Sequence, residues 1–225
     1  MNKWSIVFTA ASLMLGLGAG AANAYTLSIG GTPAPGEGLK SSVPGAVTVT
    51  FDEPIPSLLT YSAGATVVQG NVGGQYAAPP GDGSKYLTIS PKGSGVVGAS
   101  GPITITASQD LKYFGFYAGS LDSYNSIKFL SKGVTVGTFG GTQLAALANT
   151  VANGDQSKGF YYNFAADGAG EFFDTVVMDS SGIAFETDNH AFRTAVPEAG
   201  TIAGLAAIGA IGAATLLQRR GQKVA

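Results

Sequence analysis

The chain contains no cysteine. That excludes a disulfide framework, a thiolate nucleophile and every CxxC zinc or redox site. A single histidine, His190, stands in 225 residues, so a multi-histidine metal centre or a His–His relay cannot be built. Charge is scarce, at 12% of residues, and Lys and Arg nowhere form the basic patch that nucleic acid requires. The 34 glycines lack a three-residue period, which removes collagen. Disorder is excluded by what is abundant: 45% hydrophobic residues, with 9 Tyr and 12 Phe, give enough apolar surface to bury.

The few charges are unevenly placed. All 14 acidic residues fall between Glu37 and Glu198, whereas the ends carry Lys3 and then Arg219, Arg220 and Lys223. Residues 1–24 combine Lys3, an apolar run over 4–17 and the small-residue site Ala22-Asn23-Ala24. This is the pattern of a secretory signal peptide, cut by signal peptidase after Ala24 so that the mature chain starts at Tyr25. The competing reading is an uncleaved N-terminal anchor. Residues 201–217 carry no charge and are followed by Arg219 and Arg220. At about 1.5 Å per residue such a helix spans roughly 26 Å, enough for a short membrane crossing. The arginine pair would place the C-terminus in the cytoplasm and the bulk of the chain outside. The alternative is a buried Ala/Gly-rich core helix.

The exported region, 25–195, shows period-2 alternation in short runs separated by Gly, Pro, Asn and Asp. Strands are expected at 46–51, 86–90, 103–107, 113–117, 126–130, 135–139, 160–164, 172–178 and 183–186, with a short helix at 143–151. The Gly/Pro-rich stretch over 26–56 reads as a loop leading into the first core strand. Strands at this spacing predict an all-β antiparallel sandwich, jelly-roll-like, as one domain with its own core.

Four carboxylates form the first candidate site. Asp52 and Glu53 follow the strand ending at Phe51, and Glu186 and Asp188 lie at the end of the last expected strand. If those strands lie side by side the four can converge on a structural Ca²⁺, a hard ion that takes oxygen ligands, with Asn189 and backbone carbonyls completing the shell. The alternative is solvated strand ends. The same carboxylates, if they share a cleft, would serve an exported glycoside hydrolase. The second candidate is the aromatic run 113–125. Alternation puts Phe114 and Phe116 on one face and Tyr113 and Tyr117 on the other, with Tyr124 after a turn. Tyrosine rings stack on sugars, and Asp122 and Asn125 can bond hydroxyls. The competing reading is a core strand with hydroxyls at its rim. His190 reads as a structural residue at an edge or surface.

The junction 195–201 contains Val196, Pro197 and Glu198. With the apolar helix and the Arg219-Arg220 stop, it resembles the PEP-CTERM sorting signal of bacterial exported proteins, over 196–221. That signal usually reads Val-Pro-Glu-Pro; here Ala199 stands in place of the second proline. The exported region is similar to a group of exosortase-dependent surface proteins through Val49-Thr50-Phe51-Asp52, Tyr76-Ala77-Ala78-Pro79, the 113–125 run and Ala184-Phe185-Glu186-Thr187-Asp188-Asn189. These pieces span most of 47–190. The resemblance implies export through the inner membrane, processing by an exosortase near Pro197-Glu198, and release or attachment at the cell surface. It also implies association with exopolysaccharide or biofilm, and it supplies no catalytic residues.

The leading expectation is therefore a non-enzymatic surface or extracellular-matrix protein. The alternatives are a carbohydrate-binding module using surface tyrosines and an exported glycoside hydrolase.

Overall fold

Fourteen strands and one short helix are described in the computed structural model, over residues 25–195 and the backbone of 12–14. The expected sorting signal over 196–221, the membrane helix expected over 201–217 and, apart from one short strand, the signal peptide expected over 1–24 lie outside the described residues. By its contacts the chain divides into a unit ending at Thr194 and a second from Ala195 onward; all the described elements belong to the first.

In chain order the elements are β1 (Ser12–Met14), β2 (Tyr25–Ile29), β3 (Thr32–Pro33), β4 (Leu39–Lys40) and β5 (Val47–Val49). Then come β6 (Leu59–Tyr61), β7 (Thr66–Gln69), β8 (Lys85–Ile89), β9 (Ile103–Ala118) and β10 (Asn125–Ser131). The last are β11 (Val134–Gly140), α1 (Gly141–Leu147), β12 (Phe160–Ala166), β13 (Phe173–Ser180) and β14 (Phe185–Thr194). All the strand pairings described are antiparallel, and they build a two-sheet, sandwich-like all-β domain.

The 16-residue β9 belongs to both layers. Its first half, from Ile103 to Ala107, pairs with β6 and β13, and β13 continues to β10 and β11. Its second half pairs with β12 on one side and β14 on the other. Beyond β12 lie β2 and β1, and the far side of β14 holds β8 with β7 at one end and β5 at the other. The alternation of buried Ile103, Ile105 and Ala107 breaks at exposed Ser108 and Gln109, and the pairing to β13 shifts register there. A bulge of this kind bends a strand and increases its twist. The two strands expected at 103–107 and 113–117 are thus one strand bent between layers.

Phenylalanines fill the space between the layers. Phe129 of β10 stacks on Phe164 of β12 with ring centroids 3.7 Å apart, and Phe173 meets both rings edge-on. Phe114 and Phe116 face this interior, as their alternation predicts, and Phe114 meets Phe129 edge-on. The opposite face of the same strand is buried as well. Tyr113, Tyr117 and Tyr161 form a second cluster, covered by Leu39, Val43 and Ala46. Gly115 sits between Tyr113 and Tyr117 because any side chain there would collide with the Tyr113 hydroxyl and the Tyr161 ring.

Three features differ from expectation. The stretch ahead of the strand expected at 46–51, which is β5, is not a plain loop: it contributes β2 and the β3–β4 hairpin. The helix runs over Gly141–Leu147, starting two residues and ending four residues earlier than expected, and its first turn is closed by Gln143 Oε1 accepting from the Gly140 amide at 2.9 Å. The last strand continues past Glu186 to Thr194, through the polar run Thr187-Asp188-Asn189-His190.

Candidate functional site

The polar run of β14 is buried throughout, from Glu186 to His190. On the β9 side, Asp188 lies opposite Tyr117 and Ala191 opposite Gly115. Three steps along β14 therefore match two along β9, and the extra residue, Asn189, has φ 49°. Such a bulge re-aims the side chains around it. Phe185 and Thr187 face the interior before it; His190 and Phe192 do so after it. Without the extra residue His190 would share the outer face of Glu186 and Asp188.

His190 is accordingly no surface residue. Its Nδ1 lies 2.9 Å from the Tyr61 hydroxyl and its Nε2 2.9 Å from Thr187 Oγ1, with Phe51 and Phe114 at the ring edges. Burial pushes its pKa down to about 3, so the ring is neutral.

Asp188 and Asn189 project to the outer face, beneath two loops. One is the β3–β4 hairpin; the other is the turn over 79–84. The loops bind each other, the Gly38 amide donating to Gly81 O at 3.2 Å and the Gly83 amide to Gly36 O at 2.9 Å. Asn189 Nδ2 donates to Glu37 O at 2.6 Å and Leu39 O at 3.1 Å, and the Tyr117 hydroxyl to Pro80 O at 2.6 Å. Asp82 descends from the turn toward Asp188, its Oδ1 accepting from the Ser84 amide at 2.8 Å. Four shielded oxygens here have no hydrogen-bond partner outside their own cluster: Asp188 Oδ1 and Oδ2, Asp82 Oδ2 and Asn189 Oδ1. Burial pushes the Asp188 carboxyl up to about 9, opposed by the Asn189 amide and reinforced by Asp82 and Asp52.

Glu186, on the same face, meets a different environment. It lies at a cleft of about 360 Å³ walled by the 71–77 loop, by Ser120, Asp122 and Tyr124 between β9 and β10, and by Gly154 and Gln156. Glu186 Oε1 accepts from the Ala77 amide at 3.0 Å. Burial pushes its carboxyl up to about 7; the Ala77 amide opposes the rise and Asp122 adds to it. The Tyr124 hydroxyl donates to Ile183 O at 2.8 Å, which fixes the ring at the rim. Asn71, Gln75, Gln156, Tyr76, Tyr124 and Asp122 complete a polar, glycine-bordered wall.

The sequence candidates therefore separate. β5 and β14 do lie side by side, Val49 opposite His190. Yet Asp52 and Glu53 are exposed, Glu186 lines the cleft and Asp188 is sealed under the loops. No group of three or more His, Asp or Glu side chains among the described residues is placed to hold a metal. Of the proposed glycan contacts, Asp122 and Tyr124 line the cleft. Tyr113 and Tyr117 are buried with their hydroxyls bonded to Asn163 Oδ1 and Pro80 O, so their faces are closed to a sugar. Asn125 is buried and its amide is engaged, accepting from the Asp122 amide at 2.6 Å and donating to Ser180 Oγ at 3.1 Å. Two residues are not among the candidate contacts of the sequence: Asp82, within the turn Pro79-Pro80-Gly81-Asp82-Gly83, and Tyr76, which enters only through the resemblance piece Tyr76-Ala77-Ala78-Pro79. Only the tertiary fold brings them to these sites.

The chain matches no family model and no curated protein.

Proposed function

We propose that this is a non-enzymatic, exported surface protein that contacts extracellular polysaccharide through the cleft between the 71–77 loop and the β9–β10 connection. The observation that carries the reading is the chemistry of that cleft. Its walls offer carboxylate and amide groups to sugar hydroxyls, and two tyrosine rings, Tyr76 and Tyr124, for stacking. The tyrosine contact of this reading moves from Tyr113 and Tyr117 to Tyr76 and Tyr124, with Asp122 kept. Of the four carboxylates weighed for hydrolysis Glu186 alone lines the cleft, where it stands beside Asp122.

Delivery forms the second half of the proposal. Signal peptidase removes residues 1–24, the helix over 201–217 holds the precursor in the inner membrane with Arg219 and Arg220 in the cytoplasm, and an exosortase cuts near Pro197-Glu198. The product is then released or attached at the cell surface, in exopolysaccharide or biofilm. The jelly-roll-like variant of the sandwich belongs to the same reading.

Screening the full chain on a glycan array, followed by calorimetry on the best ligand, tests the binding half. Binding should fall at least tenfold in Asp122→Ala and Tyr124→Ala. An array without a hit, and no heat with oligosaccharides at millimolar concentration, would sink it. Mass spectrometry of the mature protein tests delivery: termini at Tyr25 and close to Glu198 are expected, and an intact C-terminus would refute the processing.

A further inference from the structure

We infer that Asp82, Asp188 and Asn189 form a binding site for a hard divalent cation, Ca²⁺ by its donor chemistry, that fastens the β3–β4 hairpin and the 79–84 turn onto the β14 bulge. The site is separate from the polysaccharide cleft and does not depend on that reading. It is also a different set from the four carboxylates suggested by the sequence, of which it keeps Asp188.

The argument begins with the orphaned oxygens. Buried polar groups are nearly always paired, and one left bare costs free energy. Here four acceptor atoms from three side chains are shielded with no donor from outside their own cluster, and Asp188 and Asn189 are fully buried. They are shielded from solvent, and no lysine or arginine among the described residues pairs with them. The two ion pairs among the described residues, Lys40–Glu37 and Lys158–Asp155, involve neither aspartate.

The bulge supplies the geometry. It turns the Asp188 and Asn189 side chains under the same pair of loops, while Asp82 enters from above close enough to interact directly with Asp188. Glu37, whose carbonyl holds Asn189 Nδ2, is itself bridged in backbone register to Asp82. The three donors are therefore tied into one small volume by main-chain bonds. Asp52, exposed at the gap between β5 and β8, adds negative potential from outside.

The donor set selects the ion. It is all oxygen, from two carboxylates and one amide, which suits Ca²⁺, with its six to eight ligands at irregular geometry, better than Zn²⁺. The one imidazole faces the opposite side of the sheet with both nitrogens engaged. Ca²⁺ would neutralise the two aspartates and tie hairpin, turn and sheet together at a single point.

The test uses the full chain, purified in detergent, stripped with a chelator and melted with and without millimolar Ca²⁺. Saturating Ca²⁺ should raise Tm by roughly 5–10 °C. Tb³⁺ in place of Ca²⁺ should give tyrosine-sensitised luminescence, given that Tyr117 lies opposite Asp188 in the sheet. Asp188→Asn and the less buried Asp82→Asn should each abolish both signals, whereas Glu53→Gln, at an exposed position, should keep them. If Asp188→Asn does not fold, Asp82→Asn decides. The inference is overturned by an unchanged Tm and absent luminescence in the parent chain. It is overturned equally by a response of the same size to Mg²⁺, or by one that survives in Asp82→Asn, since either would place the effect elsewhere.

Discussion

The two faces of β9 are buried by different chemistry. Toward the other layer the chain uses phenylalanine, and rings such as Phe129 and Phe164 stack with no polar atom among them. Toward the loops it uses tyrosine, and each hydroxyl is tied to a different partner: Tyr113 to Ser41 and Asn163, Tyr117 to Pro80, Tyr161 to Asn189. Apolar contact is non-directional, so the inner face resists change in proportion to the area buried. Hydroxyl bonds are directional, so the outer face fixes where the covering loops sit. The comparison teaches that the inner face supplies most of the cohesion and the outer face the placement of the loops over the β14 bulge.

The largest expected effect is on the inner face. Phe129→Ala removes the ring stacked on Phe164 and should cost about 3–5 kcal/mol in a denaturant melt, which at the upper end unfolds a marginal domain. Next comes the hairpin. Gly38 has φ 65° and presses on the Tyr117 ring, with no room for a methyl group. Gly38→Ala should lose about 1–3 kcal/mol, and limited proteolysis should then cut first in residues 34–44. Tyr161→Phe keeps the ring and deletes the bond to Asn189 O. A loss of about 1 kcal/mol is expected, with the domain still folded; a loss equal to that of Phe129→Ala would erase the distinction between the faces. Smallest of all is Asp122→Ala at the cleft, which should change stability by no more than about 0.5 kcal/mol while weakening saccharide binding.

Much of the framework was legible because strands advertise themselves by alternation. Ile127 and Phe129 flank exposed Lys128, and Phe114 and Phe116 separate from Tyr113 and Tyr117, as the pattern requires. Alternation says which residues share a face. It does not say whether a loop will cover that face, so the sequence leaves the tyrosines open to either a sugar or the core, and the structure takes Tyr113 and Tyr117 into the core. The β14 run was harder for a related reason. Glu-Thr-Asp-Asn-His has the composition of a strand end, and only the bulge and partners distant in sequence, Glu37, Leu39, Asp82 and Tyr61, make its burial tolerable. Short β6 and β7, and β2 beside a Gly/Pro-rich stretch, gain their pairing from neighbours rather than from any local signal. Tyr124 and Asp122 were within reach because they follow an aromatic run; Tyr76 was not.

One consequence of the bent β9 concerns how the domain comes apart. Two separate sheets can slide or part as independent plates, each keeping its own pairing. Here a single backbone carries pairing in both, so displacement of one layer pulls directly on the other through residues 107–111. The bend at 107–111 thus couples the opening of one layer to the other, because both draw their pairing from the same strand.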